Sequence, residues 1–126
     1  MVSILVLRKT ILDHMIRAVD DTSALSDPFP HCIVSHFFPD SVYAELLACL
    51  PGPTQYEVFG YEKHMTSDGQ SNRRRFQLSN SNLDLLTERQ RILWMAVRSA
   101  LGSHELKQHM FNKLLDGLAY RYGCDL

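Results

Sequence analysis

No stretch of this chain is apolar for long enough to cross a bilayer. The longest apolar run near its start, residues 4 to 7, falls far short of the roughly 18 residues a spanning helix needs, and Arg8 and Lys9 follow it instead of preceding it as in an export signal. Charge of one sign is equally scarce: 13 Lys and Arg face 14 Asp and Glu, a formal net charge of -1. That balance gives no global electrostatic reason to bind nucleic acid or an anionic membrane. Cysteine is sparse as well. Cys32, Cys49 and Cys124 form an odd set with no C-x-x-C pair and no His at zinc-ligand spacing. Reduced thiols of a cytoplasmic protein are therefore expected, with Cys32 and Cys49 as small buried hydrophobes and Cys124 exposed. The chain also lacks a Gly-rich phosphate loop, a Ser nucleophile elbow, an N-glycosylation acceptor, internal repeats and low-complexity tracts. These absences exclude the familiar mechanistic motifs and leave a protein expected to have neither a nucleic-acid nor a membrane partner.

What is present is helical periodicity broken by proline. With 126 residues, 45% of them hydrophobic, the chain can bury one modest core. Three stretches divide that domain: an N-terminal helix and connector (1–27), a strand-helix-strand region (28–86) and a helical pair (87–123). Leu12, Met15, Ile16 and Val19 lie at i, i+3, i+4 and i+7, one face of an amphipathic helix. Pro28-Phe29-Pro30 fixes an extended entry, and residues 31 to 36 are expected to form a strand. Asp40 is expected to cap a helix whose apolar stripe is Val42, Leu46, Leu47 and Leu50, stopped by Pro51-Gly52-Pro53. Tyr56, Val58, Phe59, Tyr61, Phe76 and Leu78 flank a polar loop, residues 66 to 72, as in a hairpin or two edge strands. Thr87 and Gln90 make a capping box, followed by Leu93, Ala96, Val97, Ala100 and Leu101 on one face and a stop at Gly102. Ser103 can cap a last helix with Phe111, Leu114, Leu115, Leu118 and Tyr122, closed by Gly123. Two antiparallel helices joined by a tight turn follow.

Few residues offer chemistry. Arg73, Arg74 and Arg75 beside Phe76 are the candidates for binding an anion or a partner through charge and stacking; a solvated loop edge is the plainer alternative. Glu105 and His109, four apart on a helix, read either as a general-base pair or as a surface contact that stabilises the helix. Trp94 and Met95 could line a ligand pocket, but aromatic and Met residues at helical spacing are expected in the core. His31 is expected to bond nearby backbone at the start of its strand. No catalytic, cofactor-binding or metal-binding residue is assigned.

The order of these blocks carries a resemblance. The amphipathic helix, Pro28-Phe29-Pro30-His31, Phe37-Phe38-Pro39-Asp40, Leu46-Leu47 to Leu50-Pro51, and Gly117-Leu118-Ala119-Tyr120-Arg121-Tyr122-Gly123 are similar to the N-terminal region of prolyl-hydroxylase-like 2-oxoglutarate- and iron(II)-dependent dioxygenases. The resemblance implies iron(II) and 2-oxoglutarate as cofactors of a complete enzyme, a small-molecule or peptidyl substrate, and hydroxylation of an unactivated C-H bond in a double-stranded β-helix. The iron there is held by a His-x-Asp or His-x-Glu pair and a distant His. A two-His-one-carboxylate site needs three ligands on one face of the metal. No His here supplies the pair, because His14, His31, His36, His64, His104 and His109 are followed two positions on by Ile16, Ile33, Phe38, Thr66, Leu106 and Phe111. The chain reaches Leu126 before such elements, so it is expected to be truncated relative to the enzyme, to have no cofactor of its own and to be inactive alone.

The resulting expectation is an α+β assembly of helices on a small antiparallel sheet, the N-terminal part of a jelly-roll dioxygenase that buttresses its barrel. The alternative is a self-standing interaction module binding a protein or anionic partner through residues 73 to 75 or an exposed helix face. A fragment should leave apolar residues of segments 31 to 38 and 88 to 101 in solvent, with self-association through that face, whereas a compact module should not.

Overall fold

The computed structural model describes residues 3–58, 66, 67, 69 and 73–123, with the side chains of Arg121 and Tyr122 excepted. Among these residues the architecture is α+β: five α-helices and one two-stranded antiparallel sheet. Phe59, Tyr61 and His64, Cys124, and the remaining positions of the 66 to 72 loop lie outside the described residues, as does the Tyr122 side chain.

Helix α1 (Ile4–Asp20) is the centre of the molecule. The Ser3 hydroxyl accepts a hydrogen bond from the Leu5 amide at its start, and Ile11, Leu12, Met15 and Val19 are buried along its length. Ile16, expected among them, packs at the rim of the core instead. Helices α4 (Glu88–Leu101) and α5 (His104–Tyr122) both pack on α1. In α4, Ala96 and Ala100 lie one turn apart and are fully buried, so their small side chains allow α1 to come close. Val42, Leu46 and Cys49 of α2 (Asp40–Ala48) and its C-terminal cap, with Leu93, Val97 and Leu106, complete a single apolar cluster. Full burial of each large side chain contributes about 1.5–3 kcal/mol.

The ends of the helices follow from local chemistry. Thr87 and Gln90 form the expected capping box on α4, the buried Ser103 hydroxyl accepts from the Leu106 amide, and Gly123 closes α5 at φ 62°, in the left-handed region. At α2 the expectation fails. Pro39 occupies the cap position without a side-chain hydrogen bond, and Asp40 is the first helical residue, where its charge favours the helix N-terminus without capping it. The buried face of α2 runs through positions 42, 46 and 49, which leaves Leu47 at 56% and Leu50 at 48% exposure.

One larger expectation is corrected. Residues 31 to 36 are not a strand. Only His31 pairs, exchanging two 2.8 Å backbone hydrogen bonds with Leu25, and no backbone hydrogen bond joins residues 32 to 34 to another described residue. A strand exists only against a neighbour, and the described sheet, β1 (Glu57–Val58) with β2 (Arg74–Arg75), consists of two two-residue strands elsewhere in the chain. The last two helices are joined by the expected turn, but each makes its main packing contacts with α1 and not with the other. A short 3-10 turn, Pro53–Gln55, and helix α3 (Asn80–Leu83) flank the hairpin.

Candidate functional site

The blocks that carry the resemblance meet in space. The Leu25–His31 bridge closes a loop that presents Pro30 to α5, where Gly117 lies so near that a Cβ on it would be 3.1 Å from Pro30 Cβ and 3.2 Å from its Cγ. A Gly inside a helix costs about 1 kcal/mol relative to Ala, and this close approach is what occupies the space an Ala methyl would need. His31 behaves as its sequence context implies, with Nδ1 2.7 Å from the Phe29 carbonyl oxygen. His14 reaches across to the same segment, its Nε2 2.7 Å from the carbonyl oxygen of His36, a residue held at φ 52°.

The fit of this chain to an iron site can be tested on its own side chains. Among the described residues no group of three or more His, Cys, Asp or Glu converges as a metal would require. The described residues do not build the two-His-one-carboxylate arrangement. Cys32 is half-buried and Cys49 buried, both as free thiols.

His109 does not pair with Glu105. Its Nδ1 lies 2.8 Å from Asp20 Oδ1, and Lys113 Nζ donates to the Asp20 carbonyl at 2.9 Å, so two side chains of α5 hold the last turn of α1. Basic groups there satisfy free carbonyls and complement the negative end of the helix. The partner of His109 comes from a distant element, which i, i+4 spacing alone does not reveal.

The three arginines separate. Antiparallel register sets Glu57 opposite Arg75 and Val58 opposite Arg74. Successive side chains of a strand point to opposite faces. One face carries the Arg75 Nε to Glu57 Oε1 ion pair at 2.9 Å. The other carries Val58 and Arg74 and continues into Tyr56 and Phe76, whose rings meet edge to face with centroids 6.2 Å apart. Beneath these rings is an apolar hollow of about 180 Å³, lined by Leu50, Pro51, Tyr56, Phe76, Leu78 and Trp94. Trp94 thus packs at the rim of the core. It is half-buried, lines this hollow and donates its indole N-H to the Cys49 carbonyl at 2.8 Å, while Arg98 donates to the Leu78 carbonyl at 3.0 Å. Met95 is half-buried too.

A wider and more open cleft, about 740 Å³, lies between the C-terminal half of α1 and the 33 to 36 segment, with His14, Arg17, Asp21 and Ile33 among its walls. Between α2 and α4, Arg89 grips Glu45 through Nη2 at 2.7 Å and Nε at 3.1 Å. The hydrogen bond with Glu45, and then its charge, hold the guanidinium above its ordinary pKa, so Arg89 stays a cation and the contact is a link between α2 and α4. No family model, no curated protein and no solved structure matches this chain. No helix among the described residues is long and apolar enough to cross a membrane.

Proposed function

We propose that this chain is the N-terminal supporting portion of a cytoplasmic 2-oxoglutarate- and iron(II)-dependent dioxygenase, in which α1, α4 and α5 buttress the outer face of a jelly-roll barrel. The observation that carries this reading is the contact of Pro30 with Gly117. Two of the blocks on which the resemblance rests stand far apart in the sequence, yet they are complementary in shape at one point of the structure. Ile33, 74% exposed on a segment whose amides and carbonyls at 32 to 34 have no backbone partner among the described residues, supports it further. Backbone groups and apolar side chains left in that state are suited to being covered by another strand. Helix α4 does not add to this support: Leu93, Ala96, Val97 and Ala100 are buried by α1 and the rest of the core, and only Leu101 of the expected face is exposed.

In this reading, iron(II) and 2-oxoglutarate belong to the barrel, and this chain contributes support and part of the substrate wall. The test is oxoglutarate-dependent succinate release with iron(II). These 126 residues alone are expected to stay at background. A polypeptide continued through the reading frame downstream of Leu126 is expected to contain a His-x-Asp and to turn over. Stoichiometric iron binding with turnover by the 126 residues alone would overturn the proposal.

A further inference from the structure

The hairpin face bearing Tyr56, Val58, Arg74 and Phe76 combines three properties that no part of the dioxygenase reading uses. First, the hollow beneath it is apolar and holds only about 180 Å³, below the roughly 300–1,000 Å³ of pockets that enclose a small-molecule ligand or cofactor, and of a size for one side chain. Secondly, Val58 and Leu50 at its margin are about half exposed, so the apolar surface continues to solvent. Thirdly, Arg74 has no carboxylate or hydrogen-bond partner among the described residues, whereas Arg75 on the opposite face is neutralised by Glu57.

We propose that this face docks an extended acidic peptide, with one apolar side chain in the hollow beside Trp94 and a carboxylate on Arg74. The spacing sets the motif. Arg74 and Phe76 are two residues apart on one strand face, about 6.7 Å along it, and an extended peptide presents residues i and i+2 on one side with the same repeat. The apolar anchor and the acidic residue of the partner therefore stand two positions apart. Charge selects against the other polyanion: a nucleic-acid strand is held by a track of cations, and among the described residues this face offers Arg74 alone, on a chain of net charge -1. The inference stands apart from the proposed dioxygenase role, since its test contains neither iron nor oxoglutarate and either can fail alone.

Trp94 is the only tryptophan in the chain and lines the hollow, so its emission reports occupancy directly. The probe is a blocked peptide, Thr-Thr-Phe-Thr-Asp-Thr, titrated into the whole chain with excitation selective for tryptophan. Saturation is expected, with binding about tenfold weaker when the peptide Asp is replaced by Asn or Arg74 by Gln, the loss of one charged hydrogen bond. Replacing the peptide Phe by Ala should weaken it similarly, while Arg74→Lys and, on the opposite face, Glu57→Gln should change it by less than about threefold. Equal binding of the Asp and Asn peptides, indifference to Arg74→Gln, no saturation, or tighter binding of an oligothymidylate with the same dependence on Arg74 would each overturn the proposal.

Discussion

At the scale of single residues, Gly117 and Trp94 each answer a local demand. Replacing Gly117 by Ala recovers about 1 kcal/mol of helix propensity, but it drives a methyl into Pro30, and overpacking of that kind costs about 1–3 kcal/mol. A net loss of about 1 kcal/mol is expected in denaturant unfolding, and more for Gly117→Val, whereas Asp116→Ala next to it, on an exposed position, should have little effect. Greater stability in Gly117→Ala would mean that the loop carrying Pro30 yields easily and that the contact does not fix its position. For Trp94→Phe, the Cys49 carbonyl loses its indole donor, with an expected cost of about 1 kcal/mol and a loosened end of α2. The sequence of α4 puts Trp94 on a helix but says nothing of where its N-H goes. Its polar atom was a signal that full burial among Leu and Ala needed an acceptor, and that acceptor comes from another helix.

Elements were legible where their determinants are local. The Thr87 and Gln90 box, the Ser103 cap and the Gly123 stop are decided within a few residues, and each forms as the sequence implies. Ser103→Ala should cost about 1 kcal/mol, with a reduced unfolding midpoint as the measurement, because the hydroxyl satisfies a buried amide. What failed was decided elsewhere in the chain. Residues 31 to 36 contain the apolar run Cys32-Ile33-Val34 after a proline break, but a strand is a relation between two segments, and the described sheet supplies no partner for it. Likewise, the short turn at Gly102 brings the ends of α4 and α5 together without choosing their packing partner. That choice falls to α1, whose buried face accommodates both. Truncating Met15 to Ala on that face should cost about 2–5 kcal/mol, while Leu5→Ala, 76% exposed on the same helix, should stay within about 0.5 kcal/mol. Comparable losses in the two would remove α1 from the centre of the core.

For the molecule as a whole, the decisive contrast is between a well-filled centre on α1 and apolar side chains left in solvent around the 25 to 33 loop and beyond, Leu25, Phe29 and Ile33 among them, with Tyr120 91% exposed on α5. Single exposed apolar residues are ordinary on a protein surface. Ile33 differs because the backbone on either side of it has no partner among the described residues either, so that one added strand would satisfy the amides and cover the side chain together. The substitution Ile33→Glu separates the two possibilities. In the isolated chain a charge at an exposed position should change stability by no more than about 0.5 kcal/mol and reduce any self-association seen by light scattering. In a polypeptide that carries the proposed barrel, the same charge would be taken out of water without a partner, at a cost of several kcal/mol. Its unfolding midpoint and its oxoglutarate turnover should then both fall. If the longer protein tolerates Ile33→Glu as readily as these 126 residues do, the 32 to 34 segment is not where the barrel joins, and the supporting role argued from the Pro30 and Gly117 contact loses its point of attachment.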